Sequence, residues 1–242
     1  MTNKTILISG GTTGIGKATA LKMLSESWNV SVFSNESKVN QEFIKEAKTA
    51  YSEDRLLVLR GDMLKEASLK KIVKETLKKF KRIDALFNNA GVGYFVEADK
   101  VNIEKFDEMM EVNIIGMAAL TKAVVPIMKK QKGGQIINTA SVAGKVGHAK
   151  SEFYAASKSA VLKYSEGLRQ ELQKNSIKVA TICPGMVNTH FWTKKEYNRR
   201  KKENWHGKDP VRLSVEDIAR VVSFICNQAE HSDIQDITIM PI

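Results

Sequence analysis

Along the chain, short runs of apolar and β-branched residues alternate with longer stretches whose apolar residues recur every three or four positions. The short runs predict strands at Thr5–Ser9, Val30–Phe33, Leu56–Arg60, Ala85–Asn88, Gln135–Thr139, Lys178–Cys183 and Ile237–Met240. Branched side chains suit a pleated surface, and unbroken apolar runs suit a sheet covered on both sides. The longer stretches predict helices at about 15–27, 38–51, 65–80, 103–131, 153–174 and 215–228. In the third of these, Leu69, Ile72, Val73, Leu77 and Phe80 form one face, with Lys70, Lys71, Lys74, Lys78 and Lys79 between them. That is the pattern of a helix with one buried and one solvated side. Alternating strands and helices call for βαβ units and a parallel sheet with helices on both faces. Right-handed crossovers then favour a doubly wound α/β sheet of about seven strands. No Pro- or Gly-rich linker and no repeat divides the chain, so a single domain spanning 1–242 is expected.

One stretch resists the alternation. From about 186 to 213, Phe191, Trp192 and Trp205 stand among Lys194, Lys195, Arg199, Arg200, Lys201 and Lys202. A long connection in a compact domain is usually functional or mobile. This one follows the sixth strand, and a doubly wound sheet binds its ligands at the carboxyl ends of its strands. It reads as a substrate lid, with a solvated insert that touches no substrate as the alternative.

Composition narrows the field without identifying the protein. A chain of 242 residues can bury one large core, and fifteen Gly with four Pro exclude collagen-like and disordered classes. The apolar run at the N-terminus ends in glycines after five residues, too short for a signal peptide. No segment reads as apolar and long enough to span a bilayer, so a cytoplasmic protein without membrane contact is expected. Cys183 and Cys226 read as reduced, buried thiols, and the four scattered His give no metal site. The formal net charge of +11 raises nucleic acid, anionic membranes or acidic substrates as partners. Its Lys and Arg are spread along helical faces, however, which reads as solvation. No helix-turn-helix, zinc pattern or basic-aromatic platform speaks for nucleic acid.

The chemistry is carried by three features. Behind the first strand stands Gly10-Gly11-Thr12-Thr13-Gly14-Ile15-Gly16, and a helix follows. Glycines there let the backbone curl and approach a pyrophosphate, while the helix N-terminus adds free N–H groups and partial positive charge. A tight turn needs glycine for its backbone angles alone, but three at this spacing after the first strand favour dinucleotide binding. Next, Asn88-Asn89-Ala90-Gly91 ends the fourth strand, either bordering a cofactor or simply turning the chain. Finally, Tyr154 and Lys158 stand four apart on one helix face. An ammonium there favours the phenolate and makes the phenol a usable acid or base. Ser141, after the fifth strand, offers a hydroxyl to an oxygen on which charge develops. A Tyr–Lys pair at this spacing is common by chance, and its weight comes from the other two features.

With these residues in order, the chain resembles the short-chain dehydrogenase/reductases in their compact branch, over essentially its whole length. Gly10, Gly14 and Gly16 match the family's glycine motif, with Ser9 where Thr is usual. Asp62 matches an acid that contacts adenine, and Asn89, Ala90 and Gly91 match the fourth-strand motif. Asn113, in Val112-Asn113-Ile114, matches the structural and catalytic asparagine, while Ser141, Tyr154 and Lys158 match the catalytic serine, tyrosine and lysine. Pro184-Gly185-Met186-Val187-Asn188-Thr189 matches the segment that holds the nicotinamide amide and opens the lid. The resemblance implies a single-domain Rossmann fold and hydride transfer between NADP(H) or NAD(H) and a small-molecule carbonyl or secondary alcohol. In reduction it makes Tyr154 the proton donor to the carbonyl oxygen and Ser141 that oxygen's hydrogen-bond partner. Lys158 binds the nicotinamide ribose and favours the tyrosinate, Asn113 positions a water that relays protons to Lys158, and oxidation reverses these roles. It further implies cofactor contacts from Thr12, Thr13, Ile15, Ser34, Asn35, Met63, Val112, Pro184, Gly185, Val187 and Thr189, and substrate contacts from Met186 and Phe191 beside Ser141 and Tyr154. The helices at about 103–131 and 153–174 resemble those of the family's dimer interface, so a homodimer or homotetramer is expected.

Cofactor choice is written in Val32-Phe33-Ser34-Asn35-Glu36. An acid at the end of the second strand bonds the ribose 2′-hydroxyl of NAD, whereas an Arg accommodates a 2′-phosphate. Here Ser34 stands near the acid's place and Asn35 near the Arg's, which removes the main repulsion against a phosphate. Ser34, Asn35 and Lys38 are the phosphate's candidate partners. Thr13, where NADP-preferring relatives often carry a base, and nearby Glu36 count the other way, so NADP(H) is expected with NAD(H) open. The C-terminal Asp236-Ile237-Thr238-Ile239-Met240-Pro241-Ile242 lacks the family's common glycine-rich tail and looks like the subgroup of bacterial 3-hydroxy acid and serine dehydrogenases. Small 3-hydroxy acids or their semialdehydes are therefore candidate substrates. The basic run near the lid keeps 3-oxoacyl groups on an acidic carrier protein or coenzyme A as another candidate. A dinucleotide-binding redox sensor without turnover is the competing class, against which the intact Asn113, Ser141, Tyr154 and Lys158 speak.

Overall fold

The computed structural model describes residues 3–189, 191, 197–199, 201–202 and 209–242. Trp192, Lys194, Lys195, Arg200 and Trp205 of the expected lid lie outside the described residues. Among those described, seven strands form one sheet: β1 (Thr5–Ser9), β2 (Asn29–Ser34), β3 (Leu56–Arg60), β4 (Ala85–Asn88), β5 (Gly134–Thr139), β6 (Ile177–Pro184) and β7 (Asp236–Ile239). Every neighbouring pair is parallel, in the order β3-β2-β1-β4-β5-β6-β7. This is the doubly wound, Rossmann-type sheet that the alternation predicts. Side chains of successive residues go to opposite layers. Ile6 and Ile8 enter one core while Leu7 enters the other, as do Ile137 and Ile136 on β5. Helices α1 (Gly14–Ser25), α2 (Ser37–Ala50) and α7 (Val215–Cys226) pack on the first side. Helices α3 (Glu66–Phe80), α5 (Met117–Gln131) and α6 (Glu152–Leu172) pack on the second. A continuous apolar run is thus the signature of a strand buried twice. The chain winds outward from β1 in both directions, so a crevice opens where β1 and β4 end side by side.

Two regions depart from the sequence expectation. The helix expected over 103–131 is α4 (Ile103–Met110), a π-helical turn (Glu111–Gly116) and α5. Through the wider turn the buried side passes from Met109 to Asn113 and Gly116 and on to Met117 and Leu120, a spacing of three or four residues that reads as one helix. Ile103–Gln131 is also 29 residues long with a window of mean hydropathy 1.4, enough by length and composition to cross a bilayer. That corrects the reading that no segment qualifies. In this fold Met109, Met117, Leu120, Val124 and Met128 of that stretch are buried against the protein's own interior. The second region is the long connection. Val187 pairs with Leu213, the Asn188 N–H donates to the Leu213 carbonyl, and the Leu213 N–H to the Met186 carbonyl, both at 2.9 Å. Its two ends are therefore clasped together beside the crevice. Cys183 and Cys226 are free and buried, and burial pushes their thiols up to about 11 and about 12.

A buried polar chain fixes α6, the helix of Tyr154 and Lys158, over the sheet. Asn88 Nδ2 donates to Asn138 Oδ1 at 2.8 Å and to Thr121 Oγ1 at 3.0 Å. Asn138 Nδ2 donates to Ser165 Oγ at 2.8 Å, and Ser165 donates to the Val161 carbonyl at 2.7 Å. Removing its centre leaves buried partners without bonds. Asn138→Leu is expected to cost about 2 kcal/mol of stability in urea unfolding; a loss below about 0.5 kcal/mol, the scale of a surface change, would show the chain to be dispensable.

Candidate active site

The glycine turn is built so that backbone alone faces the crevice. Gly10 and Gly14 hold φ of +61° and +49°, a region that favours glycine. A side chain at Gly16 would run into the Gly10 carbonyl. Beyond the turn, α1 starts without an acid in its first turn and without a side-chain cap, so its first N–H groups and partial positive charge stay available. Thr12 Oγ1 is buried and has no hydrogen-bond partner among the described residues. A buried polar atom of this kind calls for a ligand or water. The turn is clamped to the end of β4. Ser9 Oγ accepts from the Asn89 and Ala90 N–H groups at 3.0 Å each. Asn89 Nδ2 returns bonds to the Ser9 and Gly10 carbonyls at 3.1 and 3.2 Å.

Across the crevice stand the residues with chemical potential. Lys158 Nζ donates to the Thr139 carbonyl, at the end of β5, at 2.9 Å and lies 5.8 Å from the centre of the Tyr154 ring. Loss of water pushes its ammonium down to about 8, against a smaller opposing effect from Cys183. The Tyr154, Phe95 and Phe191 rings form one cluster, with the Tyr154 centroid 5.3 Å from Phe95 and 5.7 Å from Phe191 and the two phenylalanines 6.2 Å apart. Ser141 Oγ accepts from the Ala143 N–H at 3.1 Å, which leaves its own proton to donate. Asn113 sits in the π-helical turn and is buried. Its Nδ2 donates to the Val92 carbonyl and to Ser157 Oγ, both at 3.0 Å, and its Oδ1 accepts from the Val92 N–H at 2.9 Å. Ser157 Oγ donates in turn to the Tyr154 carbonyl at 2.8 Å. Asn113 thereby ties the loop after β4 to the turn of α6 that carries Tyr154.

Thr139, Ser141, Tyr154, Lys158 and Phe191 line one cleft with the glycine turn, of about 1450 Å³, larger than the pocket of a single small ligand and of a size for a dinucleotide with a substrate beside it. Every cofactor and substrate position expected from the sequence lines it except Gly16, which lies behind the glycine turn. Asn113 likewise braces the wall from behind, and Lys38 is absent from the lining. The uncapped helix start, the partnerless Thr12 hydroxyl and the backbone cradle at Gly16 suit a nicotinamide dinucleotide.

Several contributors escaped the sequence reading. Phe95 lies in an irregular stretch with no period to expose it. Thr139 acts through its carbonyl, which every residue type carries. Ser157 sits inside the Tyr154–Lys158 spacing and is its one further signal. Met240 and Pro241, packed on Gly185, also line the cleft, so the unusual C-terminus contributes to the site.

The model of the short chain dehydrogenase family matches residues 4–200. The chain is similar to an NADP-dependent 3-hydroxy acid dehydrogenase of Schizosaccharomyces pombe, at 32% identity over 242 residues, covering 98% of this chain and 92% of that protein. An uncharacterized oxidoreductase of Staphylococcus aureus (strain MRSA252) is 29% identical over 242 residues, covering 100% and 99%. Among solved structures, levodione reductase superposes with a TM-score of 0.87 at 26% identity, covering 99% of this chain and 96% of that one. The closed form of serine dehydrogenase complexed with NADP+ superposes with a TM-score of 0.86 at 27% identity, covering 98% and 94%. A glycine cradle, a buried Tyr–Lys pair and this breadth of likeness lead to one conclusion: the chain belongs to the short-chain dehydrogenase family of oxidoreductases.

Proposed function

We propose that the protein is an NADP(H)-dependent dehydrogenase or reductase that interconverts a small 3-hydroxy acid and its carbonyl form, with Tyr154 as general acid and base. The observation that carries this reading is the buried Lys158 ammonium beneath the Tyr154 ring, anchored on Thr139 at the cleft wall. When bound, the nicotinamide supplies or takes the hydride. Tyr154 holds at Oη the proton that passes to the carbonyl oxygen in reduction, and takes it back in oxidation. Lys158 favours the phenolate left behind, and a pKa of about 8 lets it exchange protons near neutral pH. Ser141 donates to the oxygen on which charge develops. Asn113, bound to Val92 and Ser157, positions a water that relays protons to Lys158. Phe95 and Phe191 keep solvent from the phenol.

Gly10, Thr12, Thr13, Gly14, Ile15 and the start of α1 hold the pyrophosphate. Ser34, Asn35, Asp62 and Met63 surround the adenosine, and Asn89, Ala90, Gly91 and Val112 the middle of the cofactor. Pro184, Gly185, Val187 and Thr189 hold the nicotinamide side, with Met186 and Phe191 towards the substrate. The phosphorylated cofactor is supported by the absence of an acid at Ser34 and by the names of the fission-yeast relative and of the NADP+ complex. The same relative supports the substrate class. The face of α4 with the π-helical turn exposes Ile103 and Ile115, a surface suited to a second copy in a homodimer or homotetramer.

Tyr154→Phe is expected to lower turnover roughly 10²- to 10⁴-fold while NADPH binding, followed by fluorescence titration, stays within about twofold, since the lost hydroxyl serves the proton and the ring remains. Unchanged turnover would sink the assigned mechanism. A second expectation concerns stability. Because the Lys158 pKa falls on folding, the unfolded chain binds more protons between about pH 8 and about pH 10.4, and stability rises with pH across that window. Below it the penalty of burying the charge is complete. Lys158→Met should therefore gain on the order of 2 kcal/mol in urea unfolding near neutral pH, after allowing for the lost bond to Thr139, with the gain shrinking towards about pH 10. A variant no more stable than the parent near neutral pH rules that penalty out.

A further inference from the structure

We infer that Asn40, a residue behind the cleft wall, sets how strongly the protein distinguishes NADP(H) from NAD(H) by fixing the direction of the Ser34 hydroxyl. The inference rests on the reading that the cleft holds a nicotinamide dinucleotide with its adenosine ribose at the end of β2. Asn40 lies in the first turn of α2 and is 6% exposed. Its amide can sit only one way round. The Leu59 carbonyl, on β3, accepts and cannot donate, so Asn40 Nδ2 faces it, at 3.1 Å. Oδ1 then faces Ser34 Oγ at 2.6 Å and takes the proton of that hydroxyl.

A hydroxyl has one proton and two lone pairs. In Ser34 the proton goes to Asn40, and one lone pair receives the Glu36 N–H at 3.3 Å. What remains for the ribose is a lone pair. A free 2′-hydroxyl can donate to it. A 2′-phosphate is close to doubly charged near neutral pH and offers acceptor oxygens, so it meets Ser34 lone pair to lone pair. The acids that line the cleft act in the same direction. Glu36, Glu42 and Glu46 line the cleft along α2, and Lys17 is engaged by Glu46 at 2.5 Å. A phosphate is thus left to Asn35 and to backbone N–H groups, beside a hydroxyl that Asn40 has turned away. Asn40 is a positioning residue that acts through Ser34 and tempers the preference for NADP(H).

Four full-length proteins decide the matter: the parent, Asn40→Ala, Ser34→Ala and the double variant, each titrated with NADPH and NADH by fluorescence. Asn40→Ala releases the Ser34 proton and is expected to shift the ratio of the two dissociation constants towards NADPH roughly tenfold, the scale of one hydrogen bond to a charged group. In the Ser34→Ala background the same change is expected to move the ratio by less than about twofold, the scatter of independent sites. General loosening of the fold weakens both cofactors alike and leaves the ratio unmoved. An unmoved ratio in Asn40→Ala, or an equal shift with and without the Ser34 hydroxyl, overturns the inference. Should Asn40→Ala not fold, Asn40→Asp keeps an acceptor on Ser34 and adds negative charge. It is expected to shift the ratio towards NADH, and any other result overturns the inference. A parent protein that binds neither cofactor would overturn the dinucleotide reading itself, whereas binding with an unmoved ratio would overturn only the role of Asn40.

Discussion

The geometry of this protein hangs on the seam between β1 and β4. The two strands are neighbours, but the chain leaves β1 towards β2 on one side and reaches β5 from β4 on the other. Their carboxyl ends therefore open into a crevice with no crossover above it, and backbone groups there lack ladder partners. Four hydrogen bonds close the gap, two from the N–H groups of Asn89 and Ala90 to Ser9 Oγ and two from the Asn89 amide to the Ser9 and Gly10 carbonyls. Once Gly10 is held, its left-handed backbone and the packing of Gly16 against it leave the chain one path into α1. The start of that helix is aimed into the crevice as a consequence. A hydroxyl at position 9 and a carboxamide at 89 thus shape the glycine turn and the start of α1.

The opposite wall follows a different logic, in which the fold holds a group in an unfavourable state. A lysine ammonium stripped of water is costly, and one carbonyl bond from Thr139 does not restore its hydration. It stays buried because α6 is fixed independently. The chain through Asn88, Asn138 and Ser165 holds α6 down along its length, and Asn113 with Ser157 pins its first turns to the loop after β4. Rigidity elsewhere in the fold is what keeps the ammonium under the Tyr154 ring.

Much of this was legible in the sequence because it is written in side-chain periodicity. β1, β3 and β4 have the limits that their apolar runs predict, since strands of a sheet packed between helices are dominated by apolar side chains. The glycine turn and the Tyr154–Lys158 pair were visible for a related reason, as each demands particular residue types at fixed spacing. The rest left little trace, for identifiable reasons. The π-helical turn around Asn113 keeps the three-to-four-residue spacing of buried positions, so periodicity passes over it. The Thr139 carbonyl is backbone and carries no residue signature. The apolar stretch Ile103–Gln131 satisfies the length and hydropathy of a membrane span while serving the interior of this fold, because a bilayer and a protein core select the same side chains. Phe95 and Phe191 come together from loops far apart in the sequence, which only tertiary structure can show.

The end of β2 shows what reading by residue type leaves out. Taken as a letter, Ser34 is neutral and tolerant of a phosphate. Taken as an atom with its partners, it has already given its proton to Asn40. The distinction matters because the two kinds of selectivity differ in size. A carboxylate in that position would set charge against charge, and a buried charge without compensation is strongly disfavoured. A misdirected hydroxyl withholds one hydrogen bond, about 1.5–3 kcal/mol when the partner is charged. Selection by proton direction is therefore shallower than selection by charge, and it can be altered by rearranging neutral groups. A second strand that ends in serine rather than an acid leaves cofactor choice to the neighbours of that serine, here an amide reaching across from the first turn of α2.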